Sequence, residues 1–138
     1  MPRYQGGCLC GAVRYASEAD PIFSGACHCR DCQRFTGSAF AVVVAVPRDS
    51  LRVEGDTARF TCICDSGQPI HRMFCPTCGS GLYDIAEIMP QAAMLAVGTL
   101  DDPALVEPSV HVYCIRAQPW VAFPDGAAKF DRMPPPGP

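Results

Sequence analysis

The sequence contains little that would direct the chain to a membrane or to nucleic acid. Its longest apolar run, residues 39–46, is too short to cross a bilayer, and the amino end lacks an apolar stretch of signal-peptide length. No run of like charge occurs, and 11 basic against 14 acidic residues give a formal net charge of −3. A phosphate backbone or an anionic membrane is therefore not expected as a partner. These absences predict a soluble, cytoplasmic protein that binds neither.

The sequence also lacks an internal repeat and any helical apolar stripe longer than about two turns. Short apolar or alternating segments, separated by Gly, Pro, Asp and Ser, instead predict β-strands. Their positions are 13–15, 39–46, 51–54, 59–64, 95–97 and 110–113, and residues 29–35 and 103–106 are each compatible with a short helix. We expect one all-β domain over residues 1–133. Residues 134–138 are a proline-rich tail with few groups to pack, and we expect it to fray.

Cysteine is abundant, with 10 residues in a chain of 138. In a reducing compartment such a density indicates metal binding more than disulfides. Cys75-Pro-Thr-Cys78-Gly79 is typical of a tight turn that directs two thiolates at one zinc ion, with glycine free to adopt positive φ. Cys8 and Cys10 are the best partner pair, because residues two apart in an extended chain share one side. The alternative is that Cys8 and Cys10 are ordinary buried thiols.

A second group, Cys27, Cys29 and Cys32, offers three ligands without an obvious fourth. Three protein ligands and one open position are typical of a catalytic zinc site. A closed site with a remote fourth ligand and a metal-free redox cluster are the alternatives. His28 should point away from the side that Cys27 and Cys29 share, so we expect it at the surface or behind the ligands rather than on the metal.

Three cysteines remain outside these groups. Cys62 and Cys64 lie in a predicted strand without a flanking turn glycine, and with Cys114 they are interpreted as core or edge residues. If the second site takes a fourth protein ligand, the candidates are Cys62, Cys64, Cys114 and His111.

The three cysteine blocks resemble those of the glutathione-dependent formaldehyde-activating enzyme family, which includes centromere protein V. The matching stretches are GGCLCGAVRY at 6–15, CHCRDCQRFTGSAF at 27–40 and FCPTCGS at 74–80, with weaker similarity at 97–103 and at Pro119-Trp120. The resemblance covers roughly residues 4–125. It implies a β-tent fold, shared with methionine sulfoxide reductase B and Rab-exchange-factor-like zinc proteins.

The resemblance also implies a structural zinc on Cys8, Cys10, Cys75 and Cys78 and a second, more labile zinc on Cys27, Cys29 and Cys32. The implied activity is that of a carbon–sulfur lyase, S-(hydroxymethyl)glutathione synthase, with glutathione and formaldehyde as partners. The chain departs from the family pattern at Cys62, Cys64 and Cys114, which leaves the coordination number of the second site open.

A zinc held by three thiolates is a soft site that can accept a substrate thiol. Glutathione carries two carboxylates, for which Arg30 and Arg34 are local candidates, with hydrogen-bond donors on Thr36, Gly37 and Ser38. The two arginines are equally compatible with solvated surface charges. A non-catalytic zinc-binding interaction module and a thiol redox protein are the competing functions.

Overall fold

The computed structural model describes residues 2–64 and 67–134. These residues form eleven β-strands, one α-helix and four short 3₁₀ helices. The strands are β1 (Tyr4–Gly7), β2 (Arg14–Ser17), β3 (Phe23–Cys27), β4 (Ala41–Pro47), β5 (Arg52–Glu54), β6 (Ala58–Ile63), β7 (Pro69–Phe74), β8 (Gly81–Ala86), β9 (Ala92–Ala96), β10 (Val110–Val112) and β11 (Ala128–Lys129). The helix α1 spans Arg30–Thr36, and the 3₁₀ helices span Arg48–Ser50, Val97–Thr99, Pro103–Leu105 and Cys114–Arg116. The predicted all-β class is confirmed.

The strands divide into two sheets. The smaller sheet has the order β1-β2-β5 and is antiparallel. The larger sheet has the order β11-β10-β3-β4-β9-β8-β7-β6, in which β10 pairs in parallel with β3 and β11 and the other pairs are antiparallel. Strand β6 is therefore one edge of the larger sheet.

One buried cluster joins the two sheets. It contains Tyr4 and Tyr15 from the smaller sheet together with Val44 and Leu95 from the larger one. The Tyr15 hydroxyl also makes a 2.7 Å hydrogen bond with Thr99 Oγ1. Each fully buried aliphatic side chain contributes about 1.5–3 kcal/mol, so the cluster is a main source of stability.

The register of the larger sheet assigns several side chains to one face. Phe60 pairs with Arg72, Arg72 with Asp84, and Asp84 with Met94. Directly paired residues point to the same side of a sheet. The pairings continue through β9 and β4 to β3, where Cys27 lies on this face. The face therefore carries a cysteine at one end and a charged pair nearer the other.

All six predicted strands overlap observed strands, with boundaries shifted by a few residues. Val97 is a clear shift, because it opens a 3₁₀ helix rather than ending a strand. Helix α1 falls where residues 29–35 predict a helix, and a 3₁₀ helix falls within 103–106. Strands β1, β3, β7, β8 and β11 have no counterpart in the sequence prediction. Of the predicted tail, residues 135–138 lie outside the described residues.

Candidate metal centres

The first cluster combines two local turns that are far apart in sequence. One Sγ atom from each of Cys8, Cys10, Cys75 and Cys78 lies within 4.8 Å of the others. The Sγ atoms of Cys8 and Cys10 are 3.6 Å apart, and those of Cys10 and Cys75 are 3.8 Å apart. The loop after β1 supplies the first pair, and the turn after β7 supplies the second. The four residues predicted to share a zinc ion are therefore together.

Local hydrogen bonds favour the anionic form of two of these sulfurs, those of Cys75 and Cys78. The backbone N–H groups of Thr77 and Cys78 donate to Cys75 Sγ at 3.4 and 3.5 Å. The Ser80 hydroxyl lies 3.2 Å from Cys78 Sγ and lowers the pKa of Cys78 to about 5. Gly79 adopts a φ of 81°, which closes the turn without the cost that a Cβ would bring. Four sulfurs this close together fit the tetrahedral coordination that zinc prefers.

The second cluster is assembled by β3 and the start of α1. The Sγ atoms of Cys27, Cys29 and Cys32 also lie within 4.8 Å of one another, and all three residues are partly exposed. Cys27 ends β3, Cys29 is the N-cap of α1, and Cys32 lies in the first turn. Cys29 Sγ accepts a hydrogen bond from the Cys32 backbone N–H at 3.3 Å, as an N-cap side chain does.

The three thiols differ in pKa because they hydrogen-bond to one another. Hydrogen bonding to Cys29 raises the pKa of Cys27 to about 12, and Cys27 in turn lowers the pKa of Cys29 to about 2. Hydrogen bonding to Cys27 and Cys29 raises the pKa of Cys32. The three sulfurs therefore interact directly with one another, and soft sulfur donors at this spacing fit a zinc ion here as well.

His28 lies outside both clusters, as the alternation of the chain predicts. It is fully buried, which excludes the surface alternative and leaves the position behind the ligands. Its Nε2 lies 3.2 Å from Nδ1 of His111, and Phe40 and Phe123 pack against its ring. Burial lowers the pKa of both histidines, so the pair is neutral near pH 7.

The additional cysteines are not drawn into the three-cysteine cluster. Cys62 lies on β6, an edge strand, in agreement with its interpretation as an edge residue. Cys64 Sγ donates to the Gln68 carbonyl at 3.0 Å, and Cys114 Sγ donates to the His111 carbonyl at 3.5 Å. Among the described residues, neither these three cysteines nor His111 joins the second cluster.

The predicted substrate residues lie on α1 and just beyond it. Arg30, Arg34, Thr36, Gly37 and Ser38 are all exposed. The Thr36 hydroxyl donates to the Cys32 carbonyl at 2.7 Å, and the Ser38 N–H donates to Thr36 Oγ1 at 3.1 Å. The Gly37 N–H donates to the Gln33 carbonyl at 2.8 Å. These donors cap the helix, and their role in substrate binding stays a prediction.

Arg72 is the prominent side chain that sequence reasoning missed. It is 3% exposed, and its Nη1 lies 3.5 Å from Oδ2 of Asp84. Although burial opposes its charge, hydrogen bonding to the sulfurs of Cys62 and Cys32 and the charge of Asp84 raise the pKa of Arg72. Burial raises the pKa of Asp84 to about 6 against the charge of Arg72. The available signal was one arginine in a strand whose other members, apart from His71, are apolar, two positions before the Phe74-Cys75 motif.

Comparisons with known proteins agree with the cysteine pattern. A family model described as "Glutathione-dependent formaldehyde-activating enzyme" matches residues 3–116. A protein of Emericella nidulans named "Putative glutathione-dependent formaldehyde-activating enzyme" is 33% identical over 92 residues, which are 63% of this chain and 46% of that protein. An uncharacterized lyase of Schizosaccharomyces pombe is 28% identical over 83 residues, which are 60% of this chain and 58% of that protein. The chain thus spans about half the length of the curated relatives it matches.

A solved structure supports the fold. A crystal structure of a Rhodobacter sphaeroides protein matches with a TM-score of 0.60 and 25% sequence identity, covering 75% of this chain and 96% of that one. Within the described residues, no helix is long and apolar enough to cross a membrane.

Proposed function

Because the chain belongs to the glutathione-dependent formaldehyde-activating enzyme family, we propose that it is a zinc-dependent carbon–sulfur lyase that acts on thiol–aldehyde adducts. The activity is of the S-(hydroxymethyl)glutathione synthase type, with glutathione and formaldehyde as the reference partners. In the synthetic direction the thiol sulfur bonds to the aldehyde carbon, and the thiol proton ends on the aldehyde oxygen. The reverse reaction breaks the same carbon–sulfur bond.

The three-cysteine cluster is the observation that carries this proposal. Cys27, Cys29 and Cys32 converge at one point and remain partly exposed, so a ligand from solvent can reach them. A zinc ion bound there would supply a soft Lewis acid with one position for a substrate thiol. The three cysteines would hold the metal, and α1 fixes two of them through its N-cap and first turn.

Residues on α1 are proposed to orient the substrate. Arg30 and Arg34 are exposed cations on the helix that also carries Cys32. Arginine binds carboxylates in a bidentate manner, which suits the two carboxylates of glutathione. Arg30 Nη1 donates to Gln33 Oε1 at 2.5 Å, so on binding a carboxylate this side chain would exchange an internal partner for the substrate.

The four-cysteine cluster has a different proposed role. Its members come from two segments that it ties together, and Cys75 is fully buried. A site with four protein ligands leaves no position for a substrate. We assign it a structural zinc.

Metal content and activity together test the proposal. The zinc-loaded chain should contain two zinc ions and should accelerate exchange between glutathione, formaldehyde and S-(hydroxymethyl)glutathione, measured by NMR after subtraction of the uncatalysed rate. Cys29→Ser should contain one zinc and lose the acceleration while it keeps its fold. Cys114→Ser, whose sulfur lies outside both clusters, is the matched control and should behave as the unmodified chain.

Two results would contradict the proposal. One is a Cys29→Ser variant with two zinc ions and unchanged activity. The other is a fully loaded chain whose exchange rate equals the uncatalysed rate; in that case a binding role for the site would replace a catalytic one.

A further inference from the structure

We propose that Arg72 is a positioning residue that balances the negative charge of the three-cysteine cluster and so favours a thiolate as the fourth ligand of its metal. The inference rests on the proposed function, because it concerns the ligand that completes the same site. It assigns a role in thiol affinity to a residue that binds neither the metal nor the substrate carboxylates.

The position of Arg72 requires negative partners. The side chain projects from β7 onto the face of the larger sheet that also carries Cys27, and only 3% of its surface is exposed. Its guanidinium carbon lies 5.1 Å from the centre of the Phe35 ring, and Phe35 is on the same helix as Cys32. A buried cation is costly unless anions or hydrogen-bond acceptors surround it.

Asp84 alone does not satisfy this cation. The contact between Arg72 Nη1 and Asp84 Oδ2 is 3.5 Å, longer than the 2.7–2.9 Å typical of charge-assisted hydrogen bonds. A guanidinium has five N–H donors, and interactions with the sulfurs of Cys62 and Cys32 raise the pKa of Arg72. The cation is therefore directed at the cluster as much as at the carboxylate.

A charge count shows what this cation changes. A divalent metal with three thiolates has a net charge of about −1, and a fourth thiolate brings it to about −2. A guanidinium beside the cluster lowers the free energy of the more negative state, and the carboxylate of Asp84, which pairs with Arg72, has the opposite effect. Thiolate binding should therefore weaken when Arg72 is neutralised and strengthen when Asp84 is neutralised.

The two opposite expectations can be measured without turnover. The full chain is loaded with Co²⁺ and titrated at pH 8 with 2-mercaptoethanol, while the sulfur-to-cobalt charge-transfer absorbance is followed. This thiol has no carboxylate, so Arg30 and Arg34 do not contribute. At this pH the Asp84 carboxyl is ionised, because its pKa is raised only to about 6.

We expect R72Q to bind the thiol about tenfold or more weakly than the unmodified chain, because it removes a unit charge next to the site. R72K should recover most of this loss, since it restores the charge. D84N should bind the thiol more tightly. R59Q is the matched control, because Arg59 is an exposed arginine on the neighbouring strand β6 and should leave the affinity unchanged.

The outcomes separate the inference from the proposed function. If the unmodified Co²⁺ protein shows no response to thiol, the proposed thiol site itself fails. If the unmodified protein responds and R72Q responds equally, only the role of Arg72 is wrong. If R72Q does not fold or loses the second metal, the D84N variant provides the test. A D84N variant that binds the thiol no more tightly than the unmodified chain overturns the inference.

Discussion

The four-cysteine cluster should stabilise the whole fold, because it closes a long loop. Cys10 and Cys75, whose sulfurs are 3.8 Å apart, are separated by 65 positions in the sequence. In the chain-entropy model, a link that closes a loop of this length removes about 4 kcal/mol of conformational free energy from the unfolded state. Metal binding that occurs in the folded state and not in the unfolded one adds to this stabilisation.

Comparing Cys10→Ser with Cys29→Ser measures the stabilisation that comes from closing the long loop. Cys10→Ser should lower the free energy of unfolding by up to about 4 kcal/mol, the full value if the three remaining cysteines no longer hold the metal, measured by urea denaturation of the zinc-loaded chain. Cys10 is exposed, so the serine hydroxyl is not forced into the core. Cys29→Ser removes a ligand from a cluster that spans only residues 27–32, where loop closure contributes little. It should therefore cost far less.

Equal losses of stability in Cys10→Ser and Cys29→Ser would contradict this expectation. If Cys10→Ser destabilised the chain by no more than Cys29→Ser, the four-cysteine cluster would not be cross-linking the fold. A second check is a chelator, which should lower the unfolding midpoint of Cys29→Ser, where the four-cysteine site is intact, and leave that of Cys10→Ser nearly unchanged.

Two further predictions concern the core and one turn. Gly55 has a φ of 97°, and a Cβ there would lie 2.2 Å from the Ala12 carbonyl oxygen. Gly126 has a φ of 77° but open space around it, so it is the matched control. Gly55→Ala should lower the free energy of unfolding, measured by urea denaturation, by about 2 kcal/mol more than Gly126→Ala does. Equal costs would mean that backbone strain alone matters. Burial raises the pKa of Tyr15 to about 12 despite its bond to Thr99, so the stability it contributes is complete below pH 10 and is lost as the pH rises toward 12. The high-pH phase of the phenol absorbance titration should shrink in Tyr15→Phe, and an unchanged titration would contradict the assignment.

The cysteine clusters could be predicted because their geometry is local. A two-residue spacing in an extended chain and a Cys-x-x-Cys turn each determine where two sulfurs point. Cys29 and Cys32 obey the same logic, because an N-cap and the first turn of a helix bring their side chains together. Predicting that the Cys8–Cys10 pair meets the Cys75–Cys78 pair required one further assumption, namely that the two pairs bind the same ion.

The missed strands show where periodicity fails. Strand β3 contains Ser24 and Gly25, and β8 begins with a glycine and contains Asp84, so neither has clean apolar alternation. Pairing with neighbours on both sides, rather than intrinsic preference, makes these segments extended. The same pairing places Asp84 directly opposite Arg72.

The two clusters differ in which groups compensate their negative charge. This difference explains why the sequence predicted the surroundings of the four-cysteine cluster but not the arginine beside the three-cysteine cluster. At the four-cysteine cluster, backbone N–H groups of the turn donate to Cys75 Sγ, and such donors come with the turn itself. At the three-cysteine cluster, compensation comes partly from Arg72, 40 positions from Cys32 and placed beside it only by the packing of α1 on the larger sheet. A charge that depends on tertiary packing leaves no local pattern. It also gives the site an adjustable element, because changing Arg72 or Asp84 alters the charge around the metal without changing a ligand.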